Sequence, residues 1–206
     1  MELTVWLGLL ASALFISISP GPGAIFSISQ GTQNGFKRAL IAVVGLQLGL
    51  MSQIVFLLFG LGILIDQFPS VFIVIKIIGM AYLIILGLMQ WLKKIEQIAT
   101  TENQLKGTFS PLKALLQGFF VNLTNIKGTV FFLALIPLFI DLTALKLSTC
   151  LIFISTLIVI DLLVMTGYVA LSELSKSLLS DPKKILWQNR LTGAILILVG
   201  LVMGTS

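Results

Sequence analysis

No charged residue stands between Glu2 and Lys37, and none between Arg38 and Asp66. Each run exceeds the roughly 20 apolar residues with which a helix crosses the hydrocarbon core of a bilayer. In lipid every backbone N–H and C=O group needs a partner within the protein, so only helices and closed barrels can span. Barrel strands alternate lumen-facing and lipid-facing residues, whereas these runs are apolar without a period of two. Reading on between charged or turn-rich interruptions predicts spans near 3–34, 39–65, 68–92, 112–140, 145–172 and 186–204. The expected fold is an all-α polytopic membrane protein of about six transmembrane helices. Only 10% of the 206 residues are charged, against about 25% in a soluble domain, which excludes a soluble globule.

Ala11-Ser12-Ala13 resembles a small-residue cleavage site, but no positive charge precedes the apolar stretch, as a secretory signal requires. The first span is therefore read as retained. The net charge of +5 is spread over short segments between the spans and not gathered on one polar face, which argues for topology signals and against nucleic acid. Lys37, Arg38, Lys93, Lys94, Lys106, Lys113, Lys176, Lys183, Lys184 and Arg190 fall in or beside the first, third and fifth loops, and Lys146 alone lies on the other side. The positive-inside rule makes the odd loops cytoplasmic and puts both termini outside a bacterial inner membrane. Trp6, Trp91 and Trp187 sit near span ends, where interfacial tryptophans anchor. Lys76 lies shallow enough in the third span to snorkel to the outer interface.

Residues 93–113 form the longest loop and divide the chain into a first unit, 1–92, and a second, 114–206. Without gaps, Phe15–Phe26 aligns with Phe120–Phe131 at a constant offset of 105, with Phe15/Phe120, Gly23/Gly128 and Phe26/Phe131 identical. Three spans per half, an odd number, insert the second half upside down relative to the first, the inverted-repeat plan of many secondary transporters.

Each copy of the repeat carries helix-unfriendly residues. Ser19-Pro20-Gly21-Pro22-Gly23 cannot continue a regular helix, because two prolines remove donors and restrict the residues before them while two glycines widen the allowed dihedrals. The first span is expected to break there, and the fourth at Asn122-Leu-Thr-Asn125-Ile-Lys127. A break frees carbonyls on one half-helix and N–H groups on the next. Those groups suit the ammonium and carboxylate of an amino acid. The plainer alternative is a proline kink with no ligand.

Two charges lie deep in the second half. Lys127 is fourteen residues from both Lys113 and Asp141, about 21 Å of helix either way. Asp161 is fifteen from both Lys146 and Lys176. Buried charges in a membrane mark pathways or pairs, so Lys127 and Asp161 are expected to meet or to line one path. Asp161 would then take the substrate ammonium or a coupling proton, and Lys127 the carboxylate; a purely structural pair is the alternative. Gln47, Ser52 and Gln53 are candidates for further polar lining or for helix-to-helix glue. Gly31-x-x-x-Gly35 and Gly45-x-x-x-Gly49 fit close helix contact, either internal or in a homodimer.

Ser19-Pro20-Gly21-Pro22-Gly23, Asn34-Gly35-Phe36-Lys37-Arg38-Ala39 and Gly45-x-x-x-Gly49 resemble, in residues and spacing, the first third of the LysE/RhtB-type amino-acid exporters. Gly79-x-x-Tyr82-Leu83-x-x-x-Gly87, Asn122-Leu-Thr-Asn125-x-Lys127, Phe131-Phe132, Pro137 and Gly193 to Gly200 extend the resemblance over nearly the whole chain. It implies an inner-membrane protein that drives basic or neutral amino acids, or related metabolites, outward on the proton or membrane gradient. Ile126 departs from the proline usual in that family between asparagine and lysine, and isoleucine alone would let a helix continue. The second span also lacks the acidic or histidine side chain that some members carry near Gln53.

Other classes fare worse. No histidine and one cysteine, Cys150, leave no metal site of the usual donors, no triad and no reversible disulfide. An enzyme is not expected, nor any cofactor. A cation exporter of the same superfamily would need several carboxylates, histidines or thiols at depth. A non-transporting membrane scaffold stays open, since a fold does not establish movement of a solute. The leading expectation is export of an amino acid or a closely related zwitterion, with Ser19, Pro20, Gly21, Pro22, Gly23, Asn122, Asn125, Lys127 and Asp161 as substrate-binding residues, and protons as possible coupling partners.

Overall fold

A computed structural model describes residues 1–67, 69–92, 109–142 and 144–172, together with residues 186, 187, 190, 193, 194, 197, 198 and 201. The described residues contain seven long helices and no strand: α1 (Leu3–Ile18), α2 (Pro22–Asn34), α3 (Phe36–Gln67), α4 (Pro69–Leu92), α5 (Pro111–Leu123), α6 (Ile126–Phe139) and α7 (Leu147–Ala170). The described positions between 186 and 201 are also helical. Residues 93–108, most of the expected linker, lie outside the described set, as does the side chain of Lys76.

Residues Phe36–Ile63 of α3, and α7, are each long and apolar enough to cross a bilayer, and so are the joined pairs α1–α2 and α5–α6. These pairs bend by 56° and 53°, which places the two broken spans where the sequence puts them. α4 is a 24-residue helix whose one charge is Lys76. The chain is thus a multi-pass, all-helical membrane protein. The helix ends keep the offset of the sequence match: α1 ends at Ile18 and α5 at Leu123, α2 ends at Asn34 and α6 at Phe139. Both offsets are 105.

The isoleucine at 126 does not carry the fourth span through. Thr124 closes α5 at φ −95, ψ 10, and Asn125 turns extended at φ −73, ψ 93. The Asn125 side chain then accepts from the Gly128 N–H at 3.3 Å, capping α6 so that Ile126 takes its first position. A side-chain acceptor for an otherwise orphaned first-turn donor does here what a proline does by removing one.

Glycines set the central crossing. A Cβ at Gly45 would fall on the Leu115 carbonyl, one at Gly49 on the Phe119 carbonyl, and one at Gly118 on the Ala42 carbonyl. α3 and α5 therefore meet backbone to backbone, the close approach that small residues allow in membranes. A Cβ at Gly31 would meet the side chain of Ser172, just beyond α7, and the Val169 carbonyl near the end of that helix. The two small-residue motifs are thus engaged inside the chain, except that Gly35 has nothing within 4 Å. Its φ of 75 ends α2 in the left-handed region, which glycine adopts without strain.

The two ends of the bundle are distinct. At one, the Arg38 guanidinium lies 5.4 Å over the Phe109 ring and Gly31 abuts Ser172, so the α2–α3 junction, the start of α5 and the end of α7 gather together. At the other, Gly8 faces Phe139 and Gly62 faces Leu145. The apolar core follows this polarity. A large cluster including Leu9, Ile54, Phe131, Leu135, Ile136 and Phe153 fills the second end, while a smaller one of Ala24, Ala39, Val43, Leu46, Met165 and Val169 lies toward the first.

Candidate functional site

The first break is built by its prolines. Pro20 disfavours helical dihedrals at Ser19 and Pro22 does so at Gly21; Ser19 is extended at φ −69, ψ 115 and Gly21 at φ −140, ψ −169. Pro22 occupies the first turn of α2, where its missing donor costs nothing. The N–H groups of Gly23 and Ala24 belong to that turn and have no acceptor one turn earlier in the helix.

Both breaks face one cavity. Ser19, Gly21, Gly23 and Ala24 line it from the first, Asn122, Asn125, Lys127 and Gly128 from the second, and Asp161 and Met165 from α7. Seven of the nine residues expected from sequence are therefore brought together. Pro20 and Pro22 are not among the lining residues; they shape the turn. Ile16, Leu50, Phe132 and Leu157 complete an otherwise apolar wall. The cavity holds about 50 Å³, room for roughly four waters at ~10–15 Å³ each.

Lys127 reaches across from the second break to the first: its Nζ donates to the Ser19 carbonyl at 3.1 Å and to Ser19 Oγ at 2.7 Å. Asp161 accepts from Ser17 Oγ at 3.0 Å on Oδ1 and from Gln47 Nε2 at 2.9 Å on Oδ2. The two charges line the same cavity, but among the described residues no ion pair joins them. A direct Lys127–Asp161 contact, one of the two arrangements expected, is replaced by neutral partners on α1 and α3. Each charge is then held by hydrogen bonds while the space between them stays polar at both ends.

Surrounding groups fix these positions. Asn122 Nδ2 donates to the Leu46 carbonyl at 2.9 Å, tying the second break to α3, and Asn125 Nδ2 lies 3.4 Å from Asn122 Oδ1. Gln53 donates to Thr129 Oγ1 at 2.6 Å and to the Asn125 carbonyl at 3.3 Å. Tyr168 donates its hydroxyl to the Ile18 carbonyl at 2.7 Å, satisfying one carbonyl freed at the end of α1. Among the described residues, the buried Oε1 atoms of Gln47 and Gln53 have no hydrogen-bond partner.

Sequence alone does not mark Ser17 or Met165, and it leaves Gln47 between polar lining and helix-to-helix glue. No local pattern marks Ser17 as the partner of a residue 144 positions later. The signal available was its position in Ile16-Ser17-Ile18-Ser19, two residues before the break.

With the double break and its charges in view, comparison with known proteins is decisive. The sequence model of the LysE type translocators matches residues 14–206. The chain belongs to the LysE type translocator family. The chain is 34% identical over 203 residues to the homoserine/homoserine lactone efflux protein of Salmonella typhimurium, covering 98% of the chain and 96% of that protein. It is 36% identical over 206 residues to an uncharacterized membrane protein of Vibrio cholerae, covering 100% and 99%. To the leucine efflux protein of Klebsiella pneumoniae it is 31% identical over 142 residues, covering 68% of the chain and 65% of that protein. No solved structure matches.

Proposed function

We propose that this protein is a secondary transporter, not an enzyme, and that it exports an amino acid or a closely related small zwitterion across the bacterial inner membrane. The observation that carries the reading is the single cavity between two helix breaks, with an ammonium on one wall and a carboxylate on another. A zwitterion presents the complementary pair. Its carboxylate is received by the first-turn N–H groups of α2, at the positive end of the helix dipole, and by Lys127. Its ammonium is received by Asp161 and by carbonyls left free where α1 stops, since Pro20 has no N–H to offer the Ile16 carbonyl. Gly21, Gly23 and Gly128 let a ligand approach the backbone, and Asn122 and Asn125 offer amide groups beside it.

Both charges already have neutral hydrogen-bond partners, so a substrate exchanges contacts instead of relieving a bare ion. That keeps binding weak enough for release, which a carrier needs. Because each half makes three crossings in this reading, the halves stand inverted, and rocking about the shared cavity exposes it to each side in turn. The basic loops put the Arg38–Phe109 end in the cytoplasm and both termini outside. The efflux relatives favour neutral amino acids such as homoserine or leucine as the first substrates to try.

The test is efflux from cells or vesicles loaded with a panel of labelled amino acids, with insertion of the protein verified. Export of at least one panel member that depends on the protein is expected, with loss in Lys127→Met and Asp161→Asn. A correctly inserted protein that moves none of them overturns the reading and leaves the scaffold alternative.

A further inference from the structure

A second space opens beside the break cavity. It is a cleft of about 760 Å³ between α2 and α5, with Phe26, Ser29 and Gln30 on one side and Gln117, Val121 and Thr124 on the other. Lys113 also lines it, from the first turn of α5, so the cleft runs toward the end where the basic loops gather. The two spaces are lined from the same segments: Gly23 and Ala24 line the cavity three and two residues before Phe26 lines the cleft, and Asn122 lines the cavity between Val121 and Thr124. Phe26 stands at the boundary. Its ring lines the cleft and packs against the small cluster that contains Met165, itself a wall of the break cavity.

The repeat places a second phenylalanine at the equivalent point of the other half. Phe131 is Phe26 plus 105, and it is 1% exposed in the large cluster that fills the opposite end. Residues at matching positions thus stand in opposite situations, one beside an open cleft and the other sealed among apolar side chains that include Phe132 and Phe153. In a transporter of two inverted repeats, exchanging the conformations of the halves exchanges such environments.

We propose that the α2–α5 cleft is the cytoplasmic vestibule that receives the solute, and that Phe26 and Phe131 are paired gates on the two sides of the break cavity. This rests on the transport reading above. The described lining of the vestibule mixes neutral polar side chains, such as Gln30, Gln117 and Thr124, with apolar ones, such as Phe26 and Leu116, and its one charge is the cation Lys113. It suits a zwitterion with an uncharged side chain and disfavours a basic one. The structure is the inward-facing state, with the Phe131 gate shut.

The experiment starts from Cys150→Ser, which removes the one native thiol. Gln117→Cys in the vestibule and Ile54→Cys in the sealed cluster are treated with a membrane-impermeant maleimide, on everted vesicles and on spheroplasts. Gln117→Cys is expected to label at least tenfold faster in everted vesicles. Ile54→Cys is expected to label from the outer face only while an exported amino acid is turning over. Separately, oxidising the pair Phe26→Cys/Val121→Cys is expected to stop efflux, and reduction to restore it.

Labelling of Gln117→Cys from the outer face, or equally from both, overturns the vestibule. Undiminished efflux by the oxidised pair overturns Phe26 as gate, and outer labelling of Ile54→Cys that ignores turnover overturns Phe131. The sidedness of Gln117→Cys labelling needs no transport. A protein whose Gln117→Cys labels as expected but which exports nothing therefore refutes the transport reading and the cleft's role as solute vestibule, while the cleft's opening to the cytoplasm stands.

Discussion

Replacing Asp161 by asparagine separates the energetics of the cavity from its function. The carboxylate accepts from Ser17 on one oxygen and from the Gln47 amide on the other, while Gln47 Oε1 is buried with no partner. Asparagine has the same shape but puts an NH2 group where one oxygen stood. Its Oδ1 keeps the Ser17 bond, and a half-turn of the Gln47 amide lets Oε1 accept from the new NH2. The turned amide leaves its NH2 where the orphaned Oε1 stood, so the number of unpartnered groups is unchanged while one membrane-buried charge is removed. The stabilisation comes from the charge alone, since a charged side chain at the centre of a membrane costs about 2.5–3.5 kcal/mol. Asp161→Asn is therefore expected to be stabilised by at least about 1 kcal/mol, or ~2–4 °C in Tm for a chain this size.

Transport moves the other way. Losing a charge-assisted contact to the substrate ammonium forfeits about 1.5–3 kcal/mol, or roughly 10- to 150-fold in kcat/KM. Thermal unfolding in detergent, followed by fluorescence, and initial efflux rates in vesicles measure the two sides. A variant that melts lower than the parent and transports normally refutes the argument, because the carboxylate would then be a structural element of the bundle.

Lys127→Met keeps the aliphatic stem but removes the donor to Ser19; KM for the exported amino acid is expected to rise about 10-fold or more, read from concentration-dependent efflux. Gly118→Ala forces α5 away from the Ala42 carbonyl and Leu46 N–H of α3, with an expected loss of about 1–3 kcal/mol in detergent unfolding; Gly60→Ala, with nothing within 4 Å, is its unperturbed control. Asn125→Ala removes the cap of α6, for an expected cost of about 1 kcal/mol; Asn125→Ser, which can still accept from the Gly128 N–H without adding a charge, should recover most of that stability.

Much of this architecture is legible without coordinates, because the bilayer imposes simple rules. Apolar length alone defines the spans, and the described helices begin and end within a few residues of the expected limits. Pro20 and Pro22 act through local dihedrals, so the first break follows from five consecutive residues. The second break is subtler. Ile126 removes the proline signal, and the turn depends on the Asn125 side chain reaching the Gly128 N–H, a choice that propensity leaves open.

The depth of Lys127 and Asp161, their confinement among apolar residues and the 105-residue repeat are properties of the linear chain, since they depend only on spacing along helices of fixed rise. Which groups those charges hold is not. Ser19 for Lys127, with Ser17 and Gln47 for Asp161, are partners 108, 144 and 114 residues away. They are chosen by how closely glycine lets α3 and α5 cross and by where the two bends aim their half-helices. Side-chain reach is a few ångströms and the bundle is tens across, so these contacts exist only once the helices have been docked.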